Sequence, residues 1–247
     1  MSGATTTFTS ARFLTPDYLV RGQDNALSCP LWADGALVAP SGGTVSVYDA
    51  SNNVVVNAAA VTVAGSIATY AVPAGVLPTT LALGMGWRVE WTLTVGSVAT
   101  MYRNAAGLVR SRLVPVVTDR DLFRRVSGLN PALGAAALSA ELTDYQDYID
   151  EAWVTLHGKL TAKGSLPHLI MEPSALREPH LLLTLALIFE DFRTRLDETH
   201  GERAASYWQQ YELSWRDLRF EYDSTDSGQS DGRTKRSPQP TIWLCSR

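Results

Sequence analysis

The chain changes character once, at Leu113-Val114-Pro115, and that single switch limits what it can fold into. Before it, Val, Thr, Ala and Gly recur in short alternating runs with few charges. After it come long stretches of helical periodicity, dense in Asp, Glu and Arg. A period of two builds half-buried strands, whereas a period near 3.6 builds amphipathic helices. One switch between them predicts an α+β protein of two domains, and 247 residues leave room for both. The expected divisions are an N-terminal arm over 1–16, a β domain over 17–112, a helical domain over 113–222 and an extended tail over 223–247.

The first half reads as strands cut by turns. Ala26–Trp32 precedes Asp34-Gly35, and Thr44–Tyr48 stops at Asp49-Ala50-Ser51-Asn52-Asn53. Val54–Val56, Val61–Val63 and Ala68–Val72 follow. In Gly86–Val95 the alternation puts Trp87, Val89, Trp91, Leu93 and Val95 on one face and Arg88, Glu90, Thr92 and Thr94 on the other. Gly96-Ser97 then turns the chain into Val98–Arg103. Short strands at this spacing predict an antiparallel, immunoglobulin-like β-sandwich whose tryptophans serve its core. The Cys–Trp–Cys pattern of antibody domains is absent.

The second half predicts a bundle of four helices. Thr118 with Asp119 and Asp121 marks a helix start, running to Val126. A second helix is expected from near Ser139 to Gly164, with Leu142, Tyr145, Ile149, Ala152, Leu156 and Leu160 on one side. Asp144, Asp147, Asp150 and Glu151 line its other faces as an acidic stripe. Pro179 suits the first turn of a third helix. That helix is apolar all round over Leu181–Phe189, so neighbouring subunits could supply part of its cover. From about Gly201 to Tyr222, Ala204, Trp208, Tyr211, Trp215, Leu218 and Tyr222 step by four and three. Such a seam packs either on the third helix or between subunits.

Charge and chemistry narrow the function. Residues 1–112 carry 6 basic and 5 acidic side chains, residues 113–222 carry 11 and 17, and residues 223–247 carry 4 and 3. An acidic helical block is unsuited to gripping a phosphate backbone, although an acidic wall suits the passage of DNA. The histidines (His157, His168, His180 and His200) fall in no metal-ligand spacing, and no phosphate-cradling loop occurs. No enzyme, metal or cofactor is expected. Cys29 and Cys245, at opposite ends, predict a reducing compartment. With no signal-peptide pattern and no apolar run long enough to span a bilayer, a soluble cytoplasmic product without membrane contact is expected. In the tail, Arg233, Lys235 and Arg236 precede the apolar Ile242, Trp243 and Leu244. This segment either folds back on its own chain or fills a groove on a partner.

The helical half resembles the head–tail adaptor (connector) proteins of long-tailed bacteriophages and gene transfer agents. The stretches that carry the resemblance are Val117-Thr118-Asp119-Arg120-Asp121-Leu122, Asp144-Tyr145-Gln146-Asp147-Tyr148-Ile149, Leu181–Phe192 and the tail. The resemblance implies a virion structural protein at the head–tail interface, assembled in the host bacterial cytoplasm. It forms a homo-oligomeric ring, usually of twelve copies, between the portal and the tail or a stopper protein. Ile242, Trp243 and Leu244, with Arg233, Lys235 and Arg236, would anchor it to the portal protein. Ala204, Trp208, Tyr211, Trp215, Leu218 and Tyr222 would form the packing seam, and Asp144, Asp147, Asp150 and Glu151 would face a lumen that passes double-stranded DNA without binding it. The β-sandwich departs from the minimal family pattern. Rival readings are a baseplate or fibre-attachment binding module and a small enzyme using Asp147 or His157.

Overall fold

The computed structural model describes residues 9–136, 142, 144–162 and 167–223. It is an α+β protein. Its chain divides into two compact units, Met1–Arg112 and Leu113–Arg247.

Among the described residues the first unit holds ten strands: β1 (Thr9–Ala11), β2 (Asp17–Val20), β3 (Asn25–Ala33), β4 (Ala36–Leu37), β5 (Gly42–Tyr48), β6 (Val54–Ala60), β7 (Thr62–Ala64), β8 (Ile67–Val72), β9 (Gly84–Val95) and β10 (Val98–Val109). One sheet runs β1-β3-β8-β7 with β4 on β3; the other runs β2-β10-β9-β5-β6. The turns that set this register were visible in the sequence. Asp34 and Gly35 both take positive φ (51° and 83°), the twist a tight hairpin needs between β3 and β4. The Asp49 carboxylate accepts from the Ser51 and Asn53 backbone N–H groups at 2.8 Å each, closing the β5–β6 turn. Alternation on β9 buries Trp87, Val89, Trp91 and Leu93 in a core shared with Val45, Val47, Leu27, Cys29, Leu31, Tyr102 and Leu108, with Val95 packed at its rim.

Two expectations need correction here. The sheets are not wholly antiparallel, because β2 pairs with β10 in parallel, Asp17 opposite Ala106 through Val20 opposite Val109. The arm is not merely an arm either, since Thr9–Ala11 pairs antiparallel with Leu31–Ala33. Both follow from one device. The chain leaves β1, bends at Leu14-Thr15 and resumes at Asp17 in the other sheet, with Pro16, which has no N–H to donate, at the crossing.

The second unit holds α1 (Asp119–Arg125), α2 (Gln146–Ala162), α3 (Arg177–Arg195) and α4 (His200–Asp217). The Asp121 carboxylate accepts from both the backbone N–H and the hydroxyl of Thr118 at 3.0 Å, and from Arg177 at 2.6 Å. It thereby fixes the start of α1 and ties it to the start of α3. The second helix begins at Gln146, not near Ser139. Leu142, Asp144 and Tyr145 precede it in irregular backbone, with the Tyr145 N–H donating to Asp119 at 3.1 Å and the Gln146 N–H to Asp144 at 3.3 Å. The acid-rich segment therefore serves as the helix start rather than its interior.

The apolar helix α3 needs no neighbouring subunit. Leu181, Leu182, Leu183, Leu185, Ala186, Ile188, Phe189 and Phe192 are all buried within the single chain, and α1, α2 and α4 all pack on α3. The fourth helix stops at Asp217, because Leu218 turns extended at φ −59° and ψ 129°. Beyond it the chain runs back along the segment before α3. Tyr222 bridges Ile170, the Met171 N–H donates to Glu221 at 3.1 Å, and the Asp223 N–H donates to Leu169 at 3.3 Å. Leu218 and Tyr222 are consequently not part of a helical seam.

Candidate functional site

On α2 the helical spacing separates an inner row from an outer one. Ile149, Ala152, Trp153, Leu156 and Leu160 face inward, while Asp147 and Glu151 are exposed one turn apart. Asp144 is exposed just ahead of the helix. Asp150 is half-buried and accepts from the Gln146 side-chain amide at 2.7 Å. The four acids expected as one stripe thus divide into three solvated carboxylates and one engaged within the helix.

The tyrosines of the same segment are packing devices. Tyr145 is buried, and its hydroxyl donates to the Leu129 carbonyl at 3.0 Å. Tyr148 donates to Asp191 on α3 at 2.6 Å, and Arg195 donates to that carboxylate at 3.1 Å. Burial first, and then the Asp191 carboxylate, push the Tyr148 hydroxyl up to about 12. It stays a neutral donor at any physiological pH.

On α4, Ala204, Tyr211 and Trp215 are buried and Trp208 is half-buried. The Tyr211 ring meets Trp208 edge-on at 5.9 Å and stacks on Trp215 at 6.4 Å, and Lys159 of α2 lies 4.6 Å from the Tyr211 centroid. These side chains pack within one chain, against α3 and toward α2. Arg233, Lys235, Arg236, Ile242, Trp243 and Leu244 lie outside the described residues.

Two buried histidines flank Trp153 of α2, His157 on the same helix and His180 on α3. His180, fully buried, shares a hydrogen bond of 2.9 Å between Nε2 and the Ile149 carbonyl and lies 5.4 Å from the Trp153 ring; His157 sits a turn beyond Trp153. Burial lowers both imidazoles below the usual histidine range, so they stay neutral. Helical spacing alone sets His157 one turn after Trp153, but nothing local in the sequence brings His180 to that ring. Among the described residues, no group of three or more His, Cys, Asp or Glu is arranged to hold a metal ion. No described helix is long and apolar enough to cross a membrane.

The outward face of the β2-β10-β9-β5-β6 sheet carries a second charged cluster. Glu90 is only 8% exposed although it lies on the outward side of β9 with the half-buried Arg88 and Thr92. Arg88 and Arg103 both direct Nε at the same Glu90 oxygen, at 3.0 and 2.8 Å. Burial pushes the Glu90 carboxyl up, but hydrogen bonds and charge from the two arginines outweigh it and hold it below the usual carboxylate range. The Arg88 guanidinium also stacks 4.0 Å over the Tyr48 ring. Sequence alternation had placed Arg88 and Glu90 on this face. The third member follows from the Gly96-Ser97 turn, which pairs Val95 with Val98 and hence Glu90 with Arg103.

No family model and no curated protein matches the chain. Among solved structures, a chimeric titin Z1Z2 functionalized with an exogenous KLER peptide from decorin is similar to 41% of this chain and 94% of that one. Its identity is 16% and its TM-score 0.24.

Proposed function

We propose that the protein is a virion structural component, a head–tail adaptor that assembles as a ring between the portal and the tail or stopper and lets DNA pass. The observation that carries this reading is the helical unit. Three of the four stretches in which the sequence resembles the adaptor family have a defined part in building one compact helical body. Val117–Leu122 forms the bonded start of α1, Asp144–Ile149 supplies the tyrosine anchors between helices, and Leu181–Phe192 is the central helix. The exposed carboxylates of Asp144, Asp147 and Glu151 give that body an acidic outer row, suited to a lumen along which a polyanion slides without sticking.

On this reading residues 17–112 are an added immunoglobulin-like domain beside a helical adaptor domain over 113–222. What supports the finer fold is strand order. A four-strand path faces a five-strand path, and the first two strands divide between the sheets, one antiparallel to its neighbour and one parallel. The surplus apolar surface of α3 lends no support to a ring, because the chain covers it alone. Oligomerisation rests on the family resemblance and on the tail.

The test is co-sedimentation with isolated portal rings. Full-length protein is expected to pellet with the rings, and a variant lacking residues 237–247 is expected to stay in solution with an unchanged circular dichroism spectrum. Equal pelleting of both proteins would remove the tail's anchoring role. Imaging that locates the protein away from the portal axis would instead favour the baseplate or fibre-attachment reading.

A further inference from the structure

The Arg88–Glu90–Arg103 cluster has a geometry that solvent alone does not require. A surface ion pair contributes little to stability, and burying a carboxylate has a desolvation cost that its partners must offset. Here one carboxylate is screened from water by two arginines, each held by Nε, on the open face of a sheet. Among the described residues, the contacts of these two arginines are Glu90 and the Tyr48 ring, and the Arg103 side chain is 66% exposed. The result is two orientated guanidinium groups with one net positive charge. Tyr48 lies beside Arg88, and Met101, 53% exposed, lies next to Arg103 on the same side of β10. Tyr, Met and Arg are the side chains enriched at protein interfaces, and restraining them before contact lowers the entropy cost of binding.

The partner's chemistry follows from charge and spacing. One net positive charge is too little to hold a phosphate backbone, which rewards many cations. Two carboxylates one helical turn apart fit better. Arg103 and Arg88 are diagonal neighbours on an antiparallel pair, roughly 7–8 Å apart. Positions four apart on a helix are separated by about 6 Å. The chain itself displays such a pair, Asp147 and Glu151, exposed on α2, in the half of the sequence where acidic side chains exceed basic ones.

We propose that the outer face of β9 and β10, centred on Arg88 and Arg103, docks the acidic α2 face of a second copy of this chain. The contact joins unlike faces, sheet to helix, so each copy carries one of each and successive copies can link into a ring. It rests on the ring reading above and moves Asp147 and Glu151 from the lumen to the seam between neighbouring copies, leaving Asp144 to the lumen.

Sedimentation velocity of the full chain over a concentration series, at low and at moderate salt, tests the contact. Wild-type protein is expected to self-associate, less so as salt rises. Arg103→Glu and Glu151→Arg are each expected to weaken association by about tenfold or more, and the double variant R103E/E151R to recover it. Because R103E leaves Glu90 with one partner, Arg103→Gln and a thermal melt of each variant separate lost contact from lost folding. A monomeric wild type, or single reversals without effect, would overturn the proposal. So would a change in shape independent of concentration, which would mean an intramolecular contact, and so would retention of duplex DNA on the Arg88–Arg103 face. Portal co-sedimentation is read separately. Portal binding with no self-association sinks this contact alone, and self-association with no portal binding sinks the adaptor reading alone.

Discussion

Asp17 is a carboxyl group in the wrong solvent. It opens β2, where burial pushes it up to about 6, against the pull of the Asn104 side chain, which donates to it at 2.9 Å, and the charge of Arg112. Burial first, and then the Asp17 charge, also push the Cys29 thiol up to about 12, which makes that cysteine an unreactive core residue. Because the folded value lies above the unfolded one, the protonated acid favours the fold. That contribution is complete below about pH 4 and is lost as pH rises through about 6. At neutral pH the ionised group therefore costs up to about 3 kcal/mol, at about 1.4 kcal/mol for each unit. Asp17→Asn keeps the shape and removes the charge. Its melting temperature is expected to exceed wild type by several degrees at pH 7 and to match it near pH 4, as read by thermal denaturation across that range. A constant gap at both pH values would show that the substitution acts through packing instead. No sequence pattern marks Asp17 as half-buried. Alternation predicts which side chains point inward, but the desolvation of Asp17 follows from a parallel pairing with a strand about ninety residues away. Glu90 differs, since the turn register brings its second arginine within reach of sequence reasoning.

Helices were more legible than strands, for a physical reason. The inward row of α2, the proline in the first turn of α3 and the capped start of α1 depend on neighbours within four residues, so the local sequence contains them. Helix ends were less visible. Both the late start of α2 and the early stop of α4 are set by tertiary bonds, from Asp119 to Tyr145 and between Ile170 and Tyr222. The all-round apolar character of α3 was legible, but its cause was not, because periodicity cannot say whether the cover comes from the same chain or another. That distinction can be measured. Phe189 is fully buried, where it stacks on Tyr207 at 5.5 Å and meets Phe192 edge-on at 5.9 Å. Phe189→Ala is expected to cost about 3–5 kcal/mol in the unfolding of the helical unit, by lost transfer energy and the cavity left behind. Leu187, only partly buried on the same helix, is expected to cost clearly less as Leu187→Ala. Chemical denaturation at two protein concentrations tests the cause. If the loss at Phe189 grows on dilution, the cover of α3 comes from a partner and not from the chain itself.

At the scale of the whole molecule, the change of period at Leu113-Val114-Pro115 falls where the contacts divide, between Arg112 and Leu113. Residues 112–118 hold no regular structure, and Val114, Pro115 and Thr118 are exposed, whereas Leu113 and Val117 are buried. A segment of this kind is a poor place to store stability, because its backbone makes few bonds that cleavage would break. Each side has its own core, the β core around Trp91 and Leu93 and the helical core around Leu185 and Phe189. Trypsin is therefore expected to cut after Arg110 or Arg112 and release a fragment beginning near Leu113. That fragment should keep its helical circular dichroism and a cooperative thermal transition after separation from the β unit. The β unit should keep a transition of its own that shifts with pH through Asp17. If instead the helical fragment melts without cooperativity once separated, the two cores depend on each other. The seam would then be a change of local structure inside one folding unit, and an adaptor body carrying an independent sandwich would be ruled out.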